Sequence, residues 1–326
     1  MKILVTGGAG FVGSHLVDAL LEQGAAVRVL DNLSTGRREN LRHVARDVEL
    51  HEGDIRDGDA VHRATSGVDV VFHQAALPSV PRSIDAPLTT NDVNVLGTLN
   101  VLTAARDAGV RRVVYASSSS IYGDAPGLPR REMQVVAPIS PYAVSKLAAE
   151  HYCAAFARVY GMETIALRYF NIFGPRQDPQ SQYAAAIPRF ITRMLSGEQP
   201  VVYGNGLQSR DFTYIANVVR CNLLAAAASS EHAAGTVYNC ATARPQTIQA
   251  IIAALNDELG TEIDPRYEAA RAGDVHASSA DITLARERLG YEPAVDIAEG
   301  LGRTIEFYRQ PTREQGGEAF LESTAE

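Results

Sequence analysis

A glycine-rich turn near the N-terminus restricts this chain to few folds. Lys2–Thr6 (KILVT) is a short apolar run, and Gly7, Gly10 and Gly13 follow it directly before a helical pattern at residues 11–23. A strand that enters a helix through such a turn aims the amides of the helix N-terminus at an anionic ligand. The motif predicts a dinucleotide site, although ordinary strand-to-helix turns also carry this spacing.

Short apolar runs recur after this turn and alternate with segments of helical periodicity. The runs fit strands at residues 26–30, 48–51, 68–73, 112–116 and 164–168, and the two longest helical patterns cover residues 88–108 and 142–160. Strands buried on both faces of a parallel sheet have this continuous apolar character. The alternation predicts an α/β fold with a doubly wound parallel sheet.

The sequence changes in texture after Asn171, where glycine and proline punctuate shorter elements. We therefore predict a dinucleotide-binding domain at residues 1–172 and a smaller C-terminal α/β substrate lobe at residues 173–310. A strand-like run at residues 236–240 is expected to rejoin the first sheet, which returns about residues 213–240 to the first domain. Residues 311–326 are polar and contain glycine, so we predict a disordered tail.

The composition narrows the classes of function. A net charge of -8 and a pI near 5.5 argue against a surface that binds nucleic acid or an anionic membrane. Three widely spaced cysteines without a Cys/His ligand pattern indicate neither a disulfide framework nor a metal site. The chain has no signal-peptide pattern and no run of about 18 apolar residues, so we expect a soluble, cytoplasmic protein.

Polar residues at the ends of the second and third predicted strands indicate which dinucleotide binds. Asp31 ends the second strand, where a carboxylate accepts hydrogen bonds from a ribose diol and repels a 2′-phosphate. Asn32 follows it, and Asp54 closes the third strand, where an adenine would lie. This pattern favours NAD over NADP, while Arg37 and Arg38 further along the loop leave NADP open.

Tyr142 and Lys146 are candidates for proton transfer because their spacing places both on one face of a helix. A tyrosine with its usual pKa of about 10 is a poor base at neutral pH. A lysine ammonium one turn away favours the phenolate and lowers that pKa. An amphipathic helix with an extended surface lysine gives the same spacing. The serines at 117–120 favour the catalytic interpretation, because they end a strand at the ligand-facing edge of the sheet.

Several motifs, taken in this order along the chain, resemble the extended short-chain dehydrogenase/reductases. They are TGGAGFVG at 6–13, HQAA at 73–76, ASSSSIYGD at 116–124, SPYAVSK at 140–146, LRYFNIFGPRQ at 167–177 and SRDF at 209–212. Within that family the chain is most similar to the UDP-hexose 4-epimerases, from Met1 to about Tyr308. The resemblance implies a Rossmann-type fold, tightly bound NAD and a homodimer formed through a four-helix bundle of residues 88–108 and 142–160.

The resemblance also implies the residues of the reaction. Tyr142 would take the proton of the sugar 4-hydroxyl as hydride passes from C4 to NAD, Lys146 would lower the pKa of Tyr142, and Ser118 would bind O4. The implied cofactor contacts are Gly7, Gly10, Phe11, Val12, Gly13, Asp31, Asn32, Ser34, Thr35, Gly36, Asp54, Ile55, Gln74, Ala75, Ala76, Asn94, Ser117, Tyr142, Lys146 and Tyr169.

A second implied set binds the UDP-sugar. Asn171 would contact a phosphate and Asp274 the uridine ribose, and guanidinium groups suit the diphosphate, although a solvated surface position is the commoner role of an arginine. The whole set is Ser79, Arg82, Ser118, Ser119, Ser120, Tyr142, Asn171, Ala185, Ala186, Val201, Tyr203, Arg210, Arg271, Asp274 and Ser278.

Three departures from related families refine the expected reaction. Sugar-nucleotide 4,6-dehydratases place Asp-Glu where this chain has Ser119 and Ser120, and UDP-glucuronate decarboxylases place Glu at Ser120. Epimerases restricted to UDP-glucose and UDP-galactose carry a bulky Tyr at the position of Ser278. A small residue there leaves room for a 2-acetamido group. We therefore expect interconversion of UDP-GlcNAc and UDP-GalNAc, with some activity on UDP-Glc and UDP-Gal.

Other functions stay open at this stage. A UDP-glucuronate or UDP-GlcNAcA 4-epimerase also carries a small wall residue, and UDP- or dTDP-glucose 4-epimerisation fits the same motifs. A non-catalytic NAD-sensing protein is the alternative from another class, since fold does not fix function. The presence of Ser118, Tyr142 and Lys146 speaks against it, because a sensor does not need an acid–base pair.

Overall fold

A seven-stranded parallel sheet forms the centre of the protein, which we describe from a computed structural model covering residues 1–179, 185–269 and 277–310. The strands of this sheet, numbered in chain order, are β1 (Lys2–Thr6), β2 (Ala26–Asp31), β3 (Val48–Glu52), β4 (Val70–His73), β5 (Arg112–Ser118), β6 (Glu163–Tyr169) and β11 (Ala234–Cys240). Their order across the sheet is β11-β6-β5-β4-β1-β2-β3. This arrangement is the predicted doubly wound α/β fold, which brings the carboxyl ends of all seven strands to one edge.

Helices pack on both faces of the sheet and build the second lobe. They are α1 (Phe11–Glu22), α2 (Gly58–Thr65), α3 (Val80–Asp85), α4 (Pro87–Asn91), α5 (Gly97–Asp107), α6 (Pro141–Tyr160), α7 (Ala186–Leu195), α8 (Ile215–Ala227), α9 (Ile248–Leu259), α10 (Thr283–Leu289) and α11 (Ile297–Arg309). The predicted tail at residues 311–326 lies outside the described residues. Among the helices described here, none is long and apolar enough to cross a membrane.

The central strands are apolar because both of their faces are covered. Ile3 and Val5 of β1 belong to one buried cluster, whereas Leu4 between them belongs to a second cluster on the opposite face. Alternate side chains of a strand point to opposite faces of its sheet. A strand between two helical layers therefore needs an apolar residue at every buried position, which explains the continuous run ILV at residues 3–5.

The helix predicted at residues 88–108 is interrupted in the structure. α4 leads into a π-helical turn at Asp92–Leu96, and α5 then continues to Asp107. Asn94 lies within this turn and is buried, with its side chain bound to the backbone of Leu77. An extra residue per turn commonly marks a place where a helix delivers a side chain to a special position.

Small sheets form the second lobe beside the main one. Their strands are β7 (Ile172–Phe173), β8 (Val201–Tyr203), β9 (Ser209–Arg210), β10 (Thr213–Tyr214), β12 (Gln246–Thr247) and β13 (Arg266–Glu268). β7 pairs with β10, β8 with β13 and β9 with β12. The run expected at residues 236–240 is β11, which pairs with β6 in parallel and so belongs to the main sheet.

His73 at the end of β4 is fully buried between two threonine hydroxyls. Thr98 Oγ1 donates to the Asn94 carbonyl at 2.6 Å, so it accepts from His73 Nε2 at 2.9 Å. Thr6 Oγ1 lies 2.7 Å from Nδ1, which a neutral ring presents as an acceptor. Burial lowers the pKa of His73 to about 3, and the native imidazole is therefore neutral.

The neutral His73 should make the free energy of unfolding fall as the pH drops from 6.5 to about 3. The unfolded imidazole binds a proton in this window and the native one does not, so acid favours the unfolded state. We expect His73→Gln to flatten the dependence of the urea midpoint on pH in this window. His151→Gln, which replaces an exposed histidine of α6, should keep the wild-type slope. An unchanged slope in His73→Gln would mean that the native ring is charged.

Candidate active site

A cleft of about 1040 Å³ lies along the carboxyl ends of the central strands. It brings together most of the residues singled out in the sequence. Those that line it are Gly7, Gly10, Phe11, Val12, Gly13, Asp31, Asn32, Ser34, Thr35, Gly36, Asp54, Ile55, Gln74, Ala75, Ala76, Ser79, Arg82, Ser117, Ser118, Ser119, Ser120, Tyr142, Lys146, Tyr169, Asn171, Ala185, Arg210 and Ser278.

The remaining residues of the predicted set lie elsewhere. Asn94 does not line the cleft, because its amide accepts from Leu77 N at 2.8 Å and donates to Ser145 Oγ at 3.0 Å. It supports the loop after β4 from behind. Ala186, Val201 and Tyr203 line a neighbouring cavity of about 260 Å³. Arg271 and Asp274 lie outside the described residues.

Several lining residues were not identified in the sequence. Arg130 lies in a loop that has no periodicity, and its guanidinium binds the backbone carbonyl of Gly123. Gln177 belongs to the quoted motif at 167–177, so that motif contained a signal for it. Arg56, Tyr122 and Asp178 also line the cleft, and only the tertiary structure brings these side chains to it.

The glycine turn forms a cradle that a larger residue would fill. A Cβ on Gly13 would lie 2.1 Å from the Gly7 carbonyl oxygen, and one on Gly7 would lie 2.7 Å from Ala75 N. No side chain caps the N-terminus of α1 at Gly10. The first amides of this helix therefore keep free donors, and the cradle fits the pyrophosphate of a dinucleotide.

Asp31 stands beside the turn at the position expected for ribose recognition. Its carboxylate accepts from Ala9 N at 2.9 Å and from Leu33 N at 2.8 Å, and burial raises its pKa. The two arginines that left NADP open both pair with acids, Arg37 with Asp178 at 2.7 Å and Arg38 with Glu52. These contacts fit NAD, because neither arginine is held toward a 2′-phosphate at Asp31.

The start of α6 positions the candidate proton-transfer group. Ser140 caps the helix by accepting from Ala143 N at 3.2 Å, and Pro141 occupies the first turn. A serine cap and an early proline are both favourable at a helix N-terminus. Tyr142 follows immediately, in the first turn of the helix, and forms a hydrogen bond with the Ser118 hydroxyl.

Burial is the main influence on the pKa values of this group. It raises the pKa of Tyr142, and the hydrogen bond with Ser118 opposes that rise. Lys146 is 3% exposed and donates to the Ala116 carbonyl at 2.9 Å. Burial lowers the pKa of Lys146 to about 7. The lysine is thus poised to titrate near neutral pH.

The sequence profile of the NAD dependent epimerase/dehydratase family matches residues 3–241. The chain belongs to this family. A UDP-glucose 4-epimerase of Thermotoga maritima, crystallised with UDP-glucose, is 39% identical, with a TM-score of 0.90 over 95% of this chain and 99% of that one. A UDP-N-acetylglucosamine 4-epimerase of Methanobrevibacter ruminantium, in complex with UDP-N-acetylmuramic acid, is also 39% identical, with a TM-score of 0.89 over 94% and 97% of the two chains.

Similarity extends beyond the epimerases. DesIV, a dTDP-glucose 4,6-dehydratase of Streptomyces venezuelae with NAD bound, is 36% identical, with a TM-score of 0.88 over 95% of this chain and 98% of that one. The family is NAD dependent, whereas the reaction on the sugar differs between its members. The side chains around Tyr142 must decide the type of reaction.

Proposed function

We propose that this NAD-dependent UDP-sugar 4-epimerase interconverts UDP-GlcNAc and UDP-GalNAc, and also accepts UDP-Glc and UDP-Gal. The observation that carries the proposal is Ser278, a small, half-buried residue on the wall of the cleft. Its backbone N donates to the Ser209 carbonyl at 3.0 Å, which fixes the wall at this point. The likeness to a UDP-N-acetylglucosamine 4-epimerase supports the same substrate.

The proposed reaction depends on the chain's own groups for proton transfer. NAD, when bound on the glycine turn, supplies the hydride acceptor and returns the hydride to the sugar. Tyr142 would remove the proton of the 4-hydroxyl, Ser118 would hold O4 by a hydrogen bond, and Lys146 would stabilise the phenolate. The hydrogen bond between Tyr142 and Ser118 already aligns two of these groups.

The acids that line the cleft favour epimerisation over loss of water. Among the described lining residues the carboxylates are Asp31, Asp54 and Asp178. Asp31 binds backbone amides, Asp54 binds Arg56 and Asp178 binds Arg37, all on the side of the glycine turn. Ser119 and Ser120 line the cleft, and by the resemblance they stand where the 4,6-dehydratases carry Asp-Glu. A 4-keto sugar would therefore be returned to its alcohol.

We propose that the smaller cavity binds the nucleoside. It shares Asn171, Ala185 and Arg210 with the main cleft, so a ligand can extend from one into the other. A guanidinium at the junction suits a diphosphate. We therefore propose that the sugar lies near Tyr142, the diphosphate near Arg210 and the uracil in the smaller cavity.

Tyr142→Phe should lower the epimerisation rate by about 10²–10⁴-fold, the usual contribution of a positioned acid–base group. The bound NAD should remain, because the variant lacks only the phenol oxygen. Conversion of UDP-GalNAc would be followed by chromatography, and the NAD content by absorbance of the denatured protein. Tyr152→Phe, on the same helix but away from the cleft, is the matched control. Wild-type rates in Tyr142→Phe would overturn the catalytic assignment.

Ser278→Tyr should lower turnover of UDP-GalNAc by about 10–200-fold or more while sparing UDP-Gal. The phenol would occupy the space that we assign to the acetamido group. Ser278→Ala keeps the wall small and should turn over both sugars as wild type does. An equal loss on both sugars would contradict the role of this wall.

A panel with UDP-glucuronic acid would test the main alternative substrate. Arg82 lines the same cleft and offers a cation that a C6 carboxylate would favour. Preferred turnover of UDP-glucuronic acid would replace the acetamido assignment while leaving 4-epimerisation intact.

We also propose a homodimer through the helices beside the cleft. α3, α4 and the π-helical turn all pack against α6. Together they present large apolar side chains to solvent, namely Ile84, Leu88, Leu96, Val144 and Val159. Exposed apolar side chains on neighbouring helices are typical of an interface, and two copies of this helical pair would form a four-helix bundle.

Leu88→Arg should convert the dimer into a monomer, because a charge would be buried at the centre of the interface. Leu88 is 79% exposed in the single chain, so the monomer itself should fold normally. Sedimentation velocity measures the change in mass. Leu207→Arg introduces the same charge at an exposed leucine of the second lobe and should remain dimeric. A monomeric wild type would refute the proposal.

A further inference from the structure

Helix α6 meets the end of strand β5 through three polar contacts, one for each helical turn. Tyr142 hydrogen-bonds Ser118, and Lys146 Nζ donates to the Ala116 carbonyl at 2.9 Å. The third contact is made by Glu150, which accepts from the Ser117 hydroxyl. Residues four apart lie on one face of a helix, so the three α6 side chains form a single row.

Glu150 ends this row behind the cleft and does not line it. It is 4% exposed and takes a bidentate pair from Arg168, with Nε at 3.0 Å and an Nη at 2.8 Å. Ser117 and Arg168 are register partners on β5 and β6, which places their side chains together under the helix. Each of these contacts is a donor to Glu150, so the carboxyl group is held as a carboxylate.

Lys146 lies in surroundings that disfavour its charge. Its Nζ is buried over the ring of Tyr115, 5.0 Å from the centroid. Burial lowers the pKa of Lys146, and Glu150 one turn away is the largest opposing influence. The ionisable groups that face this lysine from the packed elements are Tyr142, Glu150 and Cys153 on α6, Tyr115 on β5, His73 on β4 and, through Glu150, Arg168 on β6.

Only one of these neighbours carries a negative charge beside Lys146. His73 is neutral, and burial raises the pKa values of Cys153 and Tyr115, which keeps both groups protonated and uncharged. Glu150 is therefore the one anion among the described residues packed around the lysine.

We propose that Glu150 is a positioning residue that keeps Lys146 in its ammonium form, through a carboxylate fixed by Arg168 and Ser117. The proposal rests on the role proposed above for Tyr142 and Lys146. It adds a fourth group to that machinery, one that acts through the lysine and never touches the sugar or the cofactor. An uncharged Lys146 would no longer stabilise the phenolate of Tyr142.

The charge of Lys146 can be measured directly, because the 326 residues of the chain include only two lysines, Lys2 and Lys146. Protein labelled with ¹³Cε-lysine should give two ε-methylene NMR signals, and the variant Lys2→Arg leaves one. The pH midpoint of that signal is the titration of Lys146. Replacing Glu150 by Gln should lower the midpoint by about one pH unit or more, the effect expected of one nearby charge.

A second buried pair on the same strands supplies the control. Arg112 and Glu163 are register partners at the other end of β5 and β6, and the Arg112 guanidinium lies 2.7 Å from Glu163. E163Q likewise removes the carboxylate that pairs with a buried arginine, while Arg112 keeps its bonds to the carbonyls of Ala225 and Ala226. E163Q should leave the pH midpoint of Lys146 at its wild-type value, because Glu163 lies at the opposite end of the strands from Lys146.

Activity provides the second readout. The alkaline limb of the kcat profile should move to lower pH in E150Q by the same amount as the NMR midpoint, and should not move in E163Q. Any UDP-hexose that the enzyme epimerises serves for this assay. If no UDP-hexose were turned over, the proposed function would fail, while the NMR titration would still decide the role of Glu150.

An E150Q chain that did not fold would be replaced by E150Q/R168M, which removes both charges and leaves no unpaired arginine. The midpoint of Lys146 should still fall in this double variant. An unchanged midpoint in either folded variant would overturn the proposal, and so would an equal displacement in E163Q. The latter result would assign the shift to general loosening of the sheet.

Discussion

The packing of α6 against the carboxyl end of β5 is the contact on which the site depends. It places a phenol, an ammonium group and a carboxylate in one row, each facing a residue of the strand. The same contact buries Lys146 and so makes its charge depend on its neighbours. The proton transfer that we propose for this site therefore depends on the helix–strand interface as a whole. A tyrosine and lysine with the right spacing on a free helix would lack it.

Hydrogen bonds between separate segments of the chain fix the wall of the cleft near Ser278. Arg130 N donates to the Ser279 carbonyl at 2.7 Å, and Asp281 N donates back to the Arg130 carbonyl at 2.8 Å. Asp211 is buried and accepts from Ala280 N at 3.2 Å. These bonds hold the residues that follow Ser278, and Ser278 N itself donates to the Ser209 carbonyl, so backbone contacts fix this part of the wall. A substitution there can change the space in the cleft without moving the wall.

Local pattern was sufficient for the parts of the molecule that depend on neighbouring residues. The glycine turn, the alternation of strands and helices and the Tyr142–Lys146 spacing all follow from short stretches of sequence. Asn94 was assigned to the cofactor because its motif context was right, yet a π-helical turn directs its side chain to Leu77. The rise in the pKa of Tyr142 through burial was not predicted, because burial arises from tertiary packing that residue spacing does not report. Arg130 and Asp178 reach the cleft from irregular loops, for which the sequence carries no periodic signal.

The return of β11 to the main sheet has a topological consequence. The chain leaves the sheet after β6, builds β7 to β10 in the second lobe, comes back as β11, and leaves again for β12 and β13. The second lobe therefore consists of two separate stretches of chain, and the chain crosses between this lobe and the sheet several times. Opening the cleft by rotation about one hinge would require all these crossings to bend together. The connectivity therefore constrains the position of the second lobe at every crossing and not at a single hinge.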